Sequence, residues 1–343
     1  MTPRERFLSA LGLGDVDQIP VFYQHLGGAS WVLSASGTTM REGFRDEKAF
    51  ARICRSAYDT FRFDNVMAGW GDLLVEAHAH GTEWKFPERD FYPRVARFAV
   101  TEPSDVERLR AVDPLEDEHW SVQLRATALL RQHPGNEAAV VGGIISPFFL
   151  TAQLRGFENL LMDAFNDEGL VTSMLEVSLE STRMYADRAA EAGADAVFID
   201  DSTATGQLMS PEMAERYDIA SLRPLLSRIG ENGLGTIVHN DAMMPYLELQ
   251  ASASPRCLHF CVDYVDLPAT MDLLGGRMCI MPGIDHQQLL FRRTPDEVEK
   301  AVRSVIDRYG DRPGIIMAPG CEMPFKTPME NIVRLRETCH RNR

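Results

Sequence analysis

His239 and Asp241 stand one residue apart at the end of an apolar run, Gly235–His239. Cys321 follows a second run, in Ala318-Pro319-Gly320-Cys321-Glu322-Met323-Pro324. Imidazole, carboxylate and thiolate all bind zinc at roughly 2.0–2.3 Å, and a catalytic zinc takes three protein ligands with one position open for the reacting group. Residues i and i+2 of an extended backbone point the same way, so His239 and Asp241 can face one ion while Cys321 reaches across from another strand. A His–Asp hydrogen bond beside an unrelated buried thiol fits the spacing as well, and both readings stay open at this point.

Other chemistry-bearing residues sit at the ends of similar runs. They are Tyr23, Gln24 and His25; Trp70 with Asp72 and Glu76; Ser146; Asp200, Asp201 and Ser202; Cys261 and Asp263; Asp285 and His286; and Glu322 beside Cys321. The adjacent carboxylates of Asp200-Asp201-Ser202-Thr203 serve either acid–base work or turn capping. Glu76, His78 and His80 share a helical segment that a solvated face explains as well as a site does. Cys257, His259 and Cys261 alternate along one strand face, but three successive ligands span too far along a straight strand to converge on one ion, so they read as core. The glycine pairs 27–28, 142–143 and 275–276 make no dinucleotide or phosphate loop.

Eight β-rich runs would position these residues: Ile19–Tyr23, Asn65–Trp70, Ala139–Ile145, Ala196–Asp200, Gly235–His239, Cys257–Cys261, Met278–Pro282 and Gly314–Ala318. Helical patterns lie between them, as in 170–192, where Leu175, Val177, Leu179, Met184, Tyr185 and Ala189 can share a face. Ser210-Pro211-Glu212, Thr294-Pro295-Asp296-Glu297 and Thr327-Pro328-Met329-Glu330 each offer a capping hydroxyl followed by proline and acids. Strand and helix alternating eight times predicts an α/β TIM (β/α)8 barrel, whose functional groups gather at the C-terminal strand ends. The stretch from Gly71 to about Pro114 reads as an insertion after the second strand, and residues 1–343 as a single domain.

A net charge of −15 argues against nucleic acid or an anionic membrane as partner. A small molecule or a protein fits better. No signal core or spanning run is evident, and six cysteines without such a signal read as free thiols or metal ligands, which suits a cytoplasmic protein.

In order along the chain stand Arg4-Glu5-Arg6-Phe7-Leu8, Val75-Glu76-Ala77 before Gly81, Ser146-Pro147-Phe148, Asp201-Ser202-Thr203-Ala204-Thr205-Gly206 before Ser210-Pro211-Glu212, and Pro319-Gly320-Cys321 before Thr327-Pro328-Met329-Glu330-Asn331. Together they resemble the uroporphyrinogen decarboxylase superfamily, and more narrowly its corrinoid-protein methyltransferases that methylate coenzyme M. The resemblance implies a TIM barrel and a zinc site of pattern His-x-Cys with a distant Cys in Pro-Gly-Cys. His239 and Cys321 match that pattern, and Asp241 stands where the family has Cys. An oxygen donor there makes the ion a stronger Lewis acid in a less selective site.

The family's chemistry implies methyl transfer between a corrinoid and a small acceptor, a thiol or a folate-like compound. Trp70, Glu76, Asp200, Asp201, Ser202 and His25 would bind that acceptor. The chain has no Asp-x-His-x-x-Gly corrinoid signature, so a partner protein would supply the cobalt cofactor. The decarboxylase's Arg-x-x-x-Arg clamp is also missing, since the region reads His25-Leu26-Gly27-Gly28-Ala29-Ser30. Alternative readings are a metal-free, non-catalytic accessory subunit, and a decarboxylase or lyase acting on a small carboxylated substrate.

Overall fold

A computed structural model of the chain describes residues 1–88 and 91–340. In chain order its strands are β1 (Asn65–Ala68), β2 (Glu83–Lys85), β3 (Arg94–Arg97), β4 (Ala139–Ile145), β5 (Ala196–Asp200), β6 (Gly235–Asn240), β7 (Cys257–Cys261), β8 (Cys279–Ile284) and β9 (Ala318–Pro319). Seven of them form one all-parallel sheet ordered β1-β4-β5-β6-β7-β8-β9, and β2 pairs with β3 as an antiparallel hairpin.

The sheet curls into a TIM barrel, and the segment around Val21 closes it. On one side Val21 bridges Met317, with Phe22 N–H donating to the Met317 carbonyl at 2.8 Å and Met317 N–H to that of Pro20 at 2.9 Å. On the other side, one backbone bond, Asp64 N–H to the Val21 carbonyl at 2.9 Å, is supplemented by side chains. Asp64 accepts from Val21 N–H at 2.7 Å, and Asn65 accepts from Tyr23 N–H at 2.6 Å while donating to its carbonyl at 3.0 Å. Pro20 has no N–H to offer, so the expected strand Ile19–Tyr23 contributes a bridge rather than a ladder.

Other boundaries move as well. The expected strand Met278–Pro282 instead runs from Cys279 to Ile284, which carries Asp285 and His286 to the rim. The expected strand Asn65–Trp70 ends at Ala68, and Gly314–Ala318 is reduced to the isolated bridges of Ile315 and Met317 and the start of β9. Gly320 crosses beside β8 so closely that a Cβ on Gly283 would lie 2.4 Å from its Cα. That passage delivers Cys321 to the barrel mouth.

The stretch 71–114 holds the helix Val75–Ala79, the β2–β3 hairpin and two short 3-10 turns. Ser210 and Thr294 cap their helices as expected, and Thr294 does so in a reciprocal box with Glu297. Thr327 does not: its hydroxyl donates to the Pro324 carbonyl at 2.9 Å. The helix Glu168–Glu191 buries Val171, Met174, Ser178, Ser181, Thr182 and Tyr185, whereas Leu175, Val177, Leu179 and Met184 are only half-buried. Its contact face is rich in small hydroxyls because they bond across it, Ser178 with Thr151 and Ser181 with His80.

An aromatic column fills the barrel interior beneath the mouth. Phe7, Phe22 and Phe198 stack in sequence with centroids 6.1 and 5.6 Å apart, and all three are fully buried. Truncating one such ring costs roughly 3–5 kcal/mol through lost burial and the cavity left behind.

Candidate metal centre

Strand register sets the first layer of the site. Asp200, His239 and His259 are successive partners across β5, β6 and β7, so their side chains leave the sheet on the same face. His239 is clamped between Phe198, at 5.1 Å, and His259, at 4.5 Å between ring centroids. The His259 Nε2 bonds the Pro319 carbonyl at 2.8 Å, which ties β7 to the segment carrying Cys321.

One donor atom each from His239, Asp241 and Cys321 lies within 4.8 Å of the others. The His239 imidazole is fully buried, yet neither ring nitrogen has a hydrogen-bond partner. Buried polar atoms left unpaired are costly, and a metal ion would satisfy one of them. Burial holds the imidazole's pKa down at about 4, so at neutral pH it is unprotonated and a competent ligand. The donor set is one that zinc accepts, and the separations need only a small contraction.

The carboxylate and the thiol are tuned in opposite directions. Burial alone would raise Asp241, but His239 and hydrogen bonds from Cys321 and Ser202 bring it below the usual carboxylate range. Burial and the Asp241 charge push the Cys321 thiol up. A divalent cation reverses that, because its own charge dominates the local field. Gln24 Nε2 also faces the sulfur, at 3.7 Å.

Ser202 joins two carboxyl groups. Its Oγ lies 2.9 Å from Oδ1 of Asp241 and 2.9 Å from Oδ1 of Asp200. A hydroxyl has one proton to give, so one of these acids must be protonated and donate to Ser202. Burial, with the charges of Asp72 and Asp241, raises Asp200 well above its ordinary value, which makes Asp200 the protonated partner.

These groups form the polar floor of a cavity of about 860 Å³, together with His25, Asp72, His286 and Glu322. His25 Nε2 lies 3.2 Å from Glu322, and despite its burial that carboxylate raises the imidazole's pKa. Gly71 makes the room: it has φ +65°, and a Cβ there would lie 2.3 Å from His25 Nε2. Phe91, Tyr92, Phe98, Phe149, Phe157 and Phe325 supply an aromatic wall, and the Tyr92 hydroxyl donates to Glu322.

Three residues expected to bind substrate do not line this cavity. Trp70 is sandwiched between Phe44 and Phe50 at 4.0 and 4.1 Å. Asp201 points into a buried network, taking a 2.7 Å bond from Gln250 and coupling to Asp218. Glu76 is fully buried with neither oxygen partnered, so a solvated face does not describe it; burial raises its pKa to about 8. His25, Asp200 and Ser202 do line it. Sequence reasoning placed Asp72, His286 and Glu322 at strand ends without assigning them to the site, and it missed the aromatic wall. The run Phe91-Tyr92-Pro93 was the available signal for the latter.

The uroporphyrinogen decarboxylase (URO-D) family pattern matches residues 2–342. The chain belongs to that family. Among its relatives, a methylcobamide:CoM methyltransferase MtbA of Methanosarcina acetivorans is 26% identical over 346 residues, 99% of this chain and 98% of that protein. A uroporphyrinogen decarboxylase of Syntrophotalea carbinolica is 28% identical over 280 residues, 79% of this chain and 78% of that one. A solved structure, a methyltransferase from Methanosarcina mazei, superposes with a TM-score of 0.89 at 22% identity, covering 99% and 98% of the two chains. That likeness establishes the fold of this family member. Among the described residues, no helix is long and apolar enough to cross a membrane.

Proposed function

We propose that this family member is a methyltransferase that moves a methyl group between a corrinoid carried on a partner protein and a small thiol, with zinc held by His239, Asp241 and Cys321. The observation that carries the metal assignment is a fully buried imidazole with two unpartnered nitrogens, facing a carboxylate and a sulfur. The reaction class is supported by the methylcobamide:CoM methyltransferases that match nearly the whole chain. Bound there, zinc supplies a Lewis acid that lowers the pKa of a coordinated thiol enough to give a thiolate at neutral pH.

The chain's own residues prepare that chemistry. Phe198 and His259 fix the imidazole's orientation, and Ser202 holds Asp241 while drawing its second hydrogen bond from protonated Asp200. The aromatic wall limits water above the floor, where electrostatic interactions are correspondingly stronger. The corrinoid-bearing partner docks over the open side of the cavity. Decarboxylation of a porphyrin fits less well, because among the described residues no Lys or Arg lines the cavity to pair with substrate carboxylates.

Zinc-loaded protein incubated with methylcobalamin and a panel of small thiols tests this proposal. The expected result is thiol-dependent cob(I)alamin formation, reduced at least about 100-fold in Cys321→Ala. Purified protein free of metal, together with unchanged transfer in that variant, removes the assignment.

A further inference from the structure

The charges on the cavity floor restrict which thiol can enter. Zinc at +2 would balance Asp241 and a thiolate at Cys321, and His25 pairs with Glu322. Ser202 ties the carboxyl groups of Asp200 and Asp241 together, its Oγ 2.9 Å from an oxygen of each. Asp72 adds a further carboxyl group, exposed on the cavity lining. Among the described residues the lining holds no Lys or Arg, and the whole chain carries −15.

The uncharged groups favour the same ligands. Gln153 lines the cavity, is 93% buried, and donates its Nε2–H to the Asp72 carbonyl at 3.0 Å, while its Oε1 has no partner. A ligand hydroxyl or ammonium could donate to that oxygen, whereas a sulfonate or carboxylate has nothing to give it. The aromatic wall attracts cations through ring quadrupoles.

Resting on the thiol-methylating reading above, we propose that the acceptor is a neutral or cationic thiol, and that the site discriminates against an anionic one. In the transfer the Co–C bond of methylcobalamin breaks and an S–C bond forms. The Co–C electron pair stays on cobalt as cob(I)alamin, and the thiol proton leaves to solvent.

Three thiols with one two-carbon skeleton isolate the end group: 2-mercaptoethanol, cysteamine and 2-mercaptoethanesulfonate. Zinc-loaded protein is assayed with methylcobalamin and each in turn. Binding of the three S-methylated products, which are free of differences in thiol pKa, is measured in parallel by calorimetry. The hydroxyl and ammonium compounds should exceed the sulfonate at least about tenfold in both kcat/KM and affinity, given the size of a partly screened charge–charge interaction in such a site. Asp72→Asn should narrow the gap by improving use of the sulfonate. A sulfonate equal to or better than the other two overturns the proposal. If none of the thiols is methylated, the transfer reading fails and product binding decides alone: discrimination against the sulfonate upholds the inference, and no binding by any of the three overturns it.

Discussion

Nε2 of His239 and Oδ1 of Asp241 lie 3.9 Å apart. That is beyond hydrogen-bond reach and close to the roughly 3.3–3.8 Å between two donors on one tetrahedral ion. A simple His–Asp hydrogen bond therefore does not account for the pair. Asp241 spends its hydrogen bonds on Ser202 and Cys321 instead, which leaves the imidazole facing it without a partner.

Proton release on metal binding follows from these surroundings. His239 is already neutral and Asp241 already ionised near pH 7, while the thiol of Cys321 is held protonated. Zinc binding at pH 7 should therefore release about one proton per site, and none of it from the imidazole. Calorimetry in buffers of different ionisation enthalpy measures the number. Cys321→Ser should bring it close to zero, and two protons released by the unaltered protein would contradict the assignment.

The oxygen ligand can be exchanged for the sulfur found in the family pattern. Asp241→Cys should keep zinc and bind it more selectively over harder divalent ions, because a soft donor replaces a hard one. Asp241→Ala should weaken zinc by roughly 100-fold or more, since even partners behind the ligands contribute 10–100-fold. Competition with a chromophoric chelator reports both.

Glu76 governs a pH dependence of stability. Its pKa is raised from an ordinary 4.5 to about 8, so between those values the folded protein keeps a proton that the unfolded chain has lost. The stabilisation is complete below about pH 4.5 and disappears as pH rises through about 8, a change on the order of a few kcal/mol. Denaturant titrations of Glu76→Gln should show a flatter profile from pH 5 to 8 and greater stability than the unaltered protein at pH 8. An unchanged slope would mean that Glu76 is ionised in its buried position.

Gly71 leaves the space that the His25 ring occupies. Gly71→Ala places a methyl group against the imidazole at a positive φ, so it should destabilise the fold by about 2–4 kcal/mol through overpacking and backbone strain. Loss of His25–Glu322 pairing should accompany this, seen as a fall in the His25 pKa by NMR titration.

The legible part of the molecule is the part that follows local rules. Runs such as Ala139–Ile145 and Cys257–Cys261 are strands from end to end, because a buried parallel sheet demands continuous apolar residues. That His239, Asp241 and Cys321 could meet was legible as one of two readings, because strand alternation and barrel topology bring such residues to one rim. The first barrel segment was not, since Asp64 and Asn65 satisfy it through side chains that no periodicity announces. Trp70 misled because a large aromatic at a strand end serves a site or a core stack equally well, and here two phenylalanines claim it. The cavity wall was hidden because it is assembled from 91–98, 149–157 and Phe325, segments brought together only by the tertiary fold.

Zinc K-edge X-ray absorption on the metal-loaded protein tests the central claim most directly. The account predicts one sulfur neighbour at about 2.3 Å with nitrogen and oxygen neighbours near 2.0–2.2 Å, the sulfur contribution vanishing in Cys321→Ser. A shell of oxygen alone, or a sulfur signal that persists in that variant, would contradict it.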